Sequence, residues 1–564
     1  MNNPSKINQT FFLLKKGKNT LWVFVIVWLI TLALYIPAAK AGWVIDASGF
    51  LYLLKHESFW DFINRTHSED QSFYQLFMLQ YYIGYKLWGL NLWMWSLLYI
   101  TVQSINAYLL CILCRNIFAD SGVKNGFAIS LCGVLIFVIC PHVSEVVICK
   151  AYYHYLQSFL FILLIMLWAV KYQHQQRNKY VLGSIIIFIM AALTLEIFYL
   201  VPFFVLSIAL YYRFALGYDK RVFRKTVLYF FIPQIIVLGL YFIALYATFK
   251  FLRPHKIELT ISFVDYLSKP LKYLFHIVFL GRYFPMPIKD KIYSWCGSTK
   301  ALVIFYSVVA GGFGYTVLRL KQLSGSTRAM LLFGVWIVLT IGFLMPLAFP
   351  GSALLIFYDR YTYFADGFVY VLLVLWLSRI LNKNLTVFLF CIYAGLNLYF
   401  TVAVNSLWKH SAYINNRLLH GLPAVENKIV VLLNIPENMD GVPMIGSQPD
   451  GEYKALYEVF VGNIPNKIYD AASYNMITMN DGAHVTVIGD SLVKVTLNQW
   501  GTWWWYDGHG ATSYENADYK VDMKDPGHWY QLTLKHPGDN YLLLYSQGAN
   551  WKTVDMSKKN QDQY

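Results

Sequence analysis

Four short stretches of an otherwise apolar sequence carry charged side chains that could do chemistry. They are "VIDAS" with Asp46, "PHVSE" with Glu145, "LEIFYLVP" with Glu196, and "FYDRY" with the adjacent Asp359 and Arg360. Ionisable residues at the boundary of a membrane are costly and usually mark a functional site. Two interpretations follow: hydrated charges at the ends of loops, or one active site at the level of the membrane.

The composition identifies the kind of chain that holds these residues. Hydrophobic residues make up 57% of the 564 positions and aromatic residues 18%. Only 14% are charged, against about 25% in soluble domains. This composition is typical of a multi-span membrane protein with interfacial Tyr and Trp. The net charge of +15 does not indicate nucleic-acid binding, because much of the Lys and Arg falls in short loops between apolar runs.

A helix that crosses a bilayer needs about 20 mostly apolar residues. The sequence predicts eleven such spans, at 21–39, 93–114, 127–142, 152–170, 181–195, 197–212, 227–249, 299–318, 329–348, 363–381 and 386–407. Lys and Arg segregate onto alternate connections, which predicts a cytoplasmic N-terminus and an extracytoplasmic C-terminal region. The charged stretches then share the outer face of a multi-pass protein of the inner (plasma) membrane, whose first span is an uncleaved anchor.

The outer connections and the C-terminal region complete the predicted architecture. The long outer loop 40–92 has apolar residues at helical spacing, as in a segment that lies along the membrane surface, and 250–298 is a second long outer loop. Residues 421–564 contain short strand signals between Gly, Asp, Asn and Pro clusters. We therefore predict an all-α polytopic bundle of about eleven transmembrane helices over 21–410, after a cytoplasmic tail at 1–20, with a small β-rich soluble domain over 421–564.

The cysteines and histidines give no sign of a metal. Cys111 and Cys114 form a CxxC on a predicted span without a second pair, which is typical of packing residues. The outer loops have no His-rich or Asp-rich cluster. We expect no cofactor; a divalent metal is compatible with the sequence but not indicated by it. The aromatic run "QWGTWWWYDGHG" at 499–510 could stack on sugar rings, or it could pack in a core or on the membrane.

At its charged turns the sequence resembles the GT-C superfamily of glycosyltransferases, and within it the transmembrane O-mannosyltransferases that carry tetratricopeptide repeats. "PHVSEVVICKAYYHYLQ" resembles their Pro-His-x-x-Glu segment at Pro141, His142 and Glu145. "LEIFYLVP" keeps the Glu of a later segment at Glu196, and "DRYTYFA" resembles "ERYLYLP". The resemblance covers about 20–410. A second acid after the first span and the repeats have no counterpart here.

The resemblance implies a glycosyltransferase of the GT-C fold that inverts the transferred sugar. The donor would be a polyprenyl-phosphate sugar, and the acceptor a hydroxyl or amine of a glycan, lipid or protein at the outer face; membrane lipids would be further partners, and nucleic acid would not. Asp46 would be the catalytic base, since a carboxylate within about 3 Å of a hydroxyl can take its proton. Glu145 would position the acceptor or share that role.

Cations would hold the donor phosphate in such an enzyme. Arg360 offers a forked guanidinium, with Arg282 of "LGRYFP" or Lys150 as a second cation. An ion pair of Arg360 with Asp359 is the structural alternative. The substrate-binding set that these segments define is Arg360, Arg282, Lys150, His154, Glu196 and Tyr361.

Two other classes of function stay open. A non-catalytic scaffold for assembly of the cell envelope is compatible with the single acid after the first span. A polytopic transporter would also have many spans, but it would favour acids in mid-span and an internal repeat. The acids here fall at the outer ends of the predicted spans, which favours the enzyme.

Overall fold

The structure is a computed structural model. It describes residues 21–41, 43–44, 47–64, 72–250, 263–344, 359–445, 453–497, 503–504, 513–525, 529–537 and 540–563. Three predictions lie outside these residues: the cytoplasmic tail at 1–20, the role of Asp46, and most of the aromatic run at 499–510.

The described part of the chain up to His420 is helical. Its helices are α1 (Leu21–Tyr35), α2 (Ala47–His56), α3 (Phe59–Asn64), α4 (Gln75–Trp88), α5 (Leu92–Asp120), α6 (Gly126–Val138), α7 (Val143–Ile148), α8 (Tyr153–Gln175), α9 (Asn178–Ala192), α10 (Val201–Leu210), α11 (Lys220–Thr226), α12 (Ile232–Phe249), α13 (Phe263–Phe279), α14 (Met286–Cys296), α15 (Thr299–Leu318), α16 (Gly325–Leu344), α17 (Tyr363–Ile380) and α18 (Lys383–His420). Single 3₁₀ turns lie at Ile36–Ala38, Lys150–Tyr152, Glu196–Leu200, Gly281–Tyr283 and Asp359–Tyr361. π-helical segments continue α10 at Tyr211–Ala215 and precede α12 at Val227–Phe231.

Within the described residues, nine helices are long and apolar enough to cross a membrane, so the chain is a multi-pass membrane protein. The shorter apolar helices α6 and α9 lie at the two remaining predicted spans. The predicted division around Glu196 into two helices is confirmed, because α9 ends at Ala192 and α10 begins at Val201 with Pro202 in its first turn. The exact number of spans stays a prediction, since α6 and α9 are shorter than a bilayer requires.

Helices α5, α6, α8 and α17 pack closely and form the core of the bundle. Trp95 and Tyr99 of α5 are fully buried there. Helix α6 approaches α17 at Gly133, where a Cβ would lie only 2.7 Å from the Cα of Val371. A side chain at this position would force the two helices apart, so the glycine permits the contact. The outward faces of α15 and α18 expose apolar side chains instead, as expected of helices that face lipid.

The C-terminal region is β-rich, which confirms that prediction. Its strands are β1 (Ile429–Leu432), β2 (Ile435–Met439), β3 (Val442–Pro443), β4 (Lys467–Asp470), β5 (Ser473–Met476), β6 (Ala483–Gly489), β7 (Leu492–Leu497), β8 (Trp503–Trp504), β9 (Ser513–Glu515), β10 (Tyr519–Asp525), β11 (Trp529–Leu534), β12 (Tyr541–Gln547), β13 (Asn550–Thr553) and β14 (Asp562–Gln563), with helix α19 (Tyr453–Phe460) between β3 and β4. The strand orders are β13-β12-β1-β4, β14-β6-β7-β11-β10-β9 and β3-β2-β5-β8. Strand β1 pairs in parallel with both β12 and β4, whereas the six-stranded sheet is antiparallel.

The β-rich region is docked on the helical part. Residues 440–443, the turn after β2 together with the short strand β3, reach the bundle, and we call them the β2–β3 turn. Val442 in this segment is buried in the same apolar cluster as the helices. Ser411 of α18 donates a hydrogen bond to the carbonyl of Pro443 over 3.1 Å. Lys55 of α2 donates to the carbonyl of Glu458 in α19 over 3.0 Å. The β2–β3 turn is therefore held close to the ends of the helices that carry the charged turns.

Candidate active site

Two charged segments meet at one point of the bundle. Glu145 lies on the short helix α7, and Arg360 lies in the 3₁₀ turn that leads into α17. Nη1 of Arg360 lies 2.8 Å from Oε1 of Glu145, and the backbone N–H of Arg360 donates to Oε2 over 3.0 Å. One residue thus holds both carboxylate oxygens, which fixes the orientation of Glu145.

Aromatic rings line the guanidinium of Arg360. Nη1 also donates to the hydroxyl of Tyr152 over 2.6 Å. The guanidinium carbon lies 4.3 Å from the ring centroid of Tyr152 and 4.9 Å from that of Tyr361. Cation–π contacts of this kind favour a planar guanidinium over an ammonium. The structure therefore brings three predicted site residues, Glu145, Arg360 and Tyr361, together.

Asp359, the neighbour of Arg360, forms a second buried ion pair. Its carboxylate accepts hydrogen bonds from Nη1 of Arg282 and, over 3.1 Å, from the His276 ring. Arg360 pairs with Glu145, and Asp359 pairs with Arg282. The structural alternative from the sequence, an ion pair between Asp359 and Arg360, is therefore not the pairing in the structure. Burial alone would raise the pKa of Asp359, but Arg282 and His276 hold it below its usual range. Burial raises the pKa of Glu145, although Arg360 opposes the shift.

Both ion pairs border one small cavity. It is lined by Glu145, Arg282 and Asp359 from the pairs, by Val404 and Trp408 of α18, and by Gly441, Val442 and Pro443 of the β2–β3 turn. Its volume is about 10 Å³, which is close to the space that one water molecule needs. The β-rich region thus closes the site in this conformation.

Two further predicted residues lie beside the pairs. Glu196 accepts a hydrogen bond from the hydroxyl of Tyr74 over 2.6 Å. The ring of His154 lies 6.3 Å from the ring of Tyr74 and 6.4 Å from that of Tyr152, which contacts Arg360. Glu196 and His154 therefore join the Arg360 cluster through aromatic side chains.

Lys150 is used differently from the prediction of a second cation at the site. Its ammonium is fully buried and donates to Oγ of Ser96 over 2.8 Å and to the carbonyl of Ile148 over 2.7 Å. It also lies 5.2 Å from the ring centroid of Tyr99. Arg282, rather than Lys150, is the second cation beside the Glu145–Arg360 pair.

Sequence reasoning missed several residues of this region. Tyr152 and His276 were not predicted, and His142 was noted only as part of the Pro-His-x-x-Glu segment. The rings of His142 and His276 stack with centroids 4.4 Å apart. His142 belongs to two groups of buried side chains whose potential metal-ligand atoms lie within 4.8 Å of one another: Cys140, His142 and Asp366, and His142, His276 and Asp359. The motif at Pro141 could have signalled His142, but nothing in the sequence relates it to His276 or Asp366.

A larger cavity, of about 900 Å³, lies outside this cluster. We call it the basic groove; it is lined by Ile36, Pro37, Lys40, Trp93, Lys409, Ala412, Tyr413, Asn416, Arg417, His420, Gly421, Asn550 and Trp551. Arg417 donates to the side chain of Asn550 over 2.8 Å. Among the described residues that line the groove there is no Asp or Glu.

Comparisons with known proteins give distant structural neighbours. No protein-family profile and no curated protein of similar sequence matches the chain. One similar solved structure is the oligosaccharyltransferase of Archaeoglobus fulgidus in complex with Zn and sulfate, with a TM-score of 0.37 and 12% identity over 79% of this chain. The chain spans only 62% of that protein's length. Another is ArnT from Cupriavidus metallidurans in the apo state, with a TM-score of 0.35 and 12% identity over 80% of this chain and 90% of ArnT. Similarities of this size do not assign an activity.

Proposed function

We propose that the chain is a membrane glycosyltransferase of the GT-C type. It would transfer a sugar from a polyprenyl-phosphate donor to a hydroxyl or amine of a glycan, lipid or protein, with inversion. The observation that supports this best is the convergence of the Glu145–Arg360 and Asp359–Arg282 pairs around one cavity. Glu145 and the Asp359–Arg360 turn lie in the segments whose sequence resembles that superfamily.

The arrangement suits a reaction that releases a phosphate. A leaving phosphate develops negative charge, and preorganised guanidinium groups stabilise such charge where water is excluded. The guanidinium of Arg360 carries five N–H donors in a planar fork, a geometry suited to phosphate oxygens as well as to the carboxylate of Glu145. Arg282 would be the second cation, held in place by Asp359. Glu145 would orient the acceptor, and Asp46 would take its proton.

The closed cavity implies a conformational step. A space of about 10 Å³ cannot hold a sugar, so the β2–β3 turn at 441–443 must move before donor and acceptor meet. We infer that this turn shields the site from water between turnovers, as mobile lids do in other enzymes. The β-rich region would thereby take part in catalysis.

The proposed location follows from the segregation of Lys and Arg. The N-terminus would face the cytoplasm, and the site and the β-rich region would lie at the outer face of the inner (plasma) membrane. A reporter that is active only outside the cytoplasm, fused after Tyr564, should therefore be active. Activity of a cytoplasm-only reporter at that position would overturn the orientation.

The decisive experiment is sugar transfer by the purified protein in liposomes with radiolabelled polyprenyl-phosphate sugars. Asp46→Asn should lower the rate about 100- to 10,000-fold, the usual contribution of a general base, while the protein stays folded. Exposed Glu426 provides the matched control, because Glu426→Gln should transfer at the wild-type rate. Wild-type rates in Asp46→Asn would exclude this residue as the base. Absence of transfer with every donor would favour the scaffold, and uptake of free solute into the same liposomes would favour the transporter.

A further inference from the structure

A second group of reactive side chains lies directly behind the two ion pairs. Cys140 and His142 follow helix α6, and Asp366 lies in the first turn of α17. The close contact of α6 with α17 at Gly133 brings these two parts of the chain together. One potential ligand atom from each of the three residues lies within 4.8 Å of the others, and all three side chains are buried.

Several polar atoms of this group lack partners. Neither ring nitrogen of His142 has a hydrogen-bond partner among the described residues, and the same holds for Oδ1 of Asp366. Both side chains are fully buried. Buried polar atoms of folded proteins nearly always have a partner, and each exception requires an explanation such as a bound ion.

The other polar atoms of the group are already oriented. The hydroxyl of Thr362 donates to Oδ2 of Asp366 over 3.1 Å, which leaves Oδ1 available. The hydroxyl of Tyr370 lies 2.9 Å from Sγ of Cys140. The bond to Oδ2 of Asp366 leaves the other oxygen for a metal, and hydrogen bonds of this kind around the ligands are the usual support of a metal site.

We propose that Cys140, His142 and Asp366 bind one zinc ion. Thiolate, imidazole and carboxylate are ligands that Zn²⁺ accepts together, and three protein ligands leave a fourth tetrahedral position. Binding releases the thiol proton of Cys140, so that a thiolate and a carboxylate balance the charge of the ion. This proposal does not depend on the proposed transfer reaction.

The alternative group of His142, His276 and Asp359 fits a cation less well. Asp359 already accepts from Arg282 and His276. A divalent ion there would lie beside a buried guanidinium, and the two positive charges would repel each other. In the group with Cys140, Asp366 accepts from the Thr362 hydroxyl and not from a guanidinium. Of the two groups, only this one offers a sulfur ligand.

The zinc would stabilise the turn that carries Arg360. The Thr362 hydroxyl that contacts Asp366 also lies 2.9 Å from the carbonyl of Asp359. The ion would thus connect the segment after α6, which leads to Glu145, with the turn at Asp359–Tyr361. Its first role would be to position these two segments.

Metal content and cobalt spectra of the full chain test the site. The protein is purified with a histidine-free tag, and its zinc content is measured by inductively coupled plasma mass spectrometry. We expect about one zinc per chain, as for a single site with three protein ligands. Loss of the ion is expected in Cys140→Ser and Asp366→Asn. Cys149→Ser, at a buried cysteine outside the group, is the matched control and should retain it.

Substitution of zinc by Co²⁺ distinguishes the group with Cys140 from the group with His276. Measurements on the wild-type protein also test the site if the variants fail to fold. Wild-type protein loaded with Co²⁺ should show a thiolate-to-cobalt charge-transfer band, and His276→Gln should keep that band. Zinc should also protect Cys140, but not Cys149, from alkylation in partly unfolded wild-type protein. Wild-type protein that binds neither Zn²⁺ nor Co²⁺ would overturn the proposal. So would a bound ion that survives Cys140→Ser and is lost in His276→Gln.

Discussion

The paired-charge cavity and the basic groove use their cations in opposite ways. At the cavity each guanidinium pairs with a carboxylate, Arg360 with Glu145 and Arg282 with Asp359. Glu145, Arg282 and Asp359 line its space of about 10 Å³. In the groove, Lys40, Lys409, Arg417 and His420 line a space of about 900 Å³, and no acid is among the described lining residues.

The difference indicates what each region binds. A buried charge without a partner destabilises a protein. The charges at the cavity neutralise one another, so a charged substrate must share a guanidinium with its carboxylate or displace that carboxylate. The cations of the groove are solvated in the absence of an acid, so an external anion can neutralise them at little cost. Substitutions at the cavity are therefore expected to change stability and catalysis. Substitutions in the groove are expected to change the affinity for a ligand.

The largest expected effect is on stability, at Asp359. Asp359→Asn leaves Arg282 buried without its anion and should cost about 3–5 kcal/mol at neutral pH. The pKa of Asp359 is lowered in the folded protein, so its stabilising effect is present at neutral pH and is lost as the pH falls below about 4. The difference in apparent Tm between wild type and variant in detergent should therefore shrink with falling pH. Asp490→Asn, in an exposed pair with Lys559, is the control. Equal Tm values at pH 7 would show that the Asp359 pair does not stabilise the fold.

The next effect is on catalysis, at Arg360. Lysine keeps the charge but not the fork, so Arg360→Lys should lower transfer from the lipid-linked donor about 100-fold, as loss of one transition-state donor does. Donor and acceptor are varied separately, and the double variant with Glu145→Gln should show a coupling of about 0.5–3 kcal/mol.

The control for this change is Arg319→Lys, at an exposed arginine whose side chain donates to Gln322 over 2.8 Å. If Arg360 were purely structural, Arg360→Lys would lower the Tm and leave the donor KM and kcat of the folded fraction at wild-type values. That result would remove Arg360 from the phosphate site.

The sequence predicted the helices and the β-rich region better than it predicted the contacts between them. Long apolar runs gave helices where they were expected, because about 20 residues are needed to cross a bilayer. Glu145 and Arg360 were both predicted site residues, but their pairing joins positions 215 residues apart, and no local pattern carries that information. His276 was missed because it lies on α13, within a stretch predicted only as an outer loop. The parallel pairing of β1 with β12 likewise depends on long-range contacts.

A third prediction concerns the turn that closes the cavity. Burial raises the pKa of Glu437, on β2, to about 7. Ionisation of a buried acid destabilises the fold when the folded pKa is raised. The contribution of Glu437 to the free energy of unfolding is therefore largest below pH 4–5, near the usual Glu pKa, and it is lost as the pH rises to about 7. The β2–β3 turn should therefore become less stable between about pH 4 and pH 7, by an amount on the order of 1–3 kcal/mol, and should change little above that range.

Amide hydrogen exchange at 440–445 as a function of pH measures this loosening. Glu437→Gln should remove the pH dependence between about pH 4 and 7 while it retains the fold, and Glu426→Gln, at an exposed position, should keep it. Identical pH profiles for wild type and Glu437→Gln would show that this residue does not control closure of the cavity.

The smallest effect is expected in the groove, on lipid binding. The segment after α1 and the C-terminal part of α18 form its walls, and Trp93 and Tyr413 add exposed aromatic surface beside Lys40, Lys409 and Arg417. A basic pocket with an apolar wall at the membrane surface suits the headgroup of an anionic phospholipid, at about 1 kcal/mol per cation.

Lys409→Gln should therefore weaken binding of phosphatidylglycerol about fivefold relative to phosphatidylcholine, measured by native mass spectrometry in mixed micelles. Lys558→Gln, at an exposed lysine in the β-rich region, is the matched control and should not change the ratio. Sugar transfer by the Lys409 variant should stay near wild type, because the groove is separate from the paired charges. An unchanged lipid ratio would mean that the groove cations are only solvated, and a loss of transfer as large as that of Arg360→Lys would place the donor phosphate in the groove instead of the cavity.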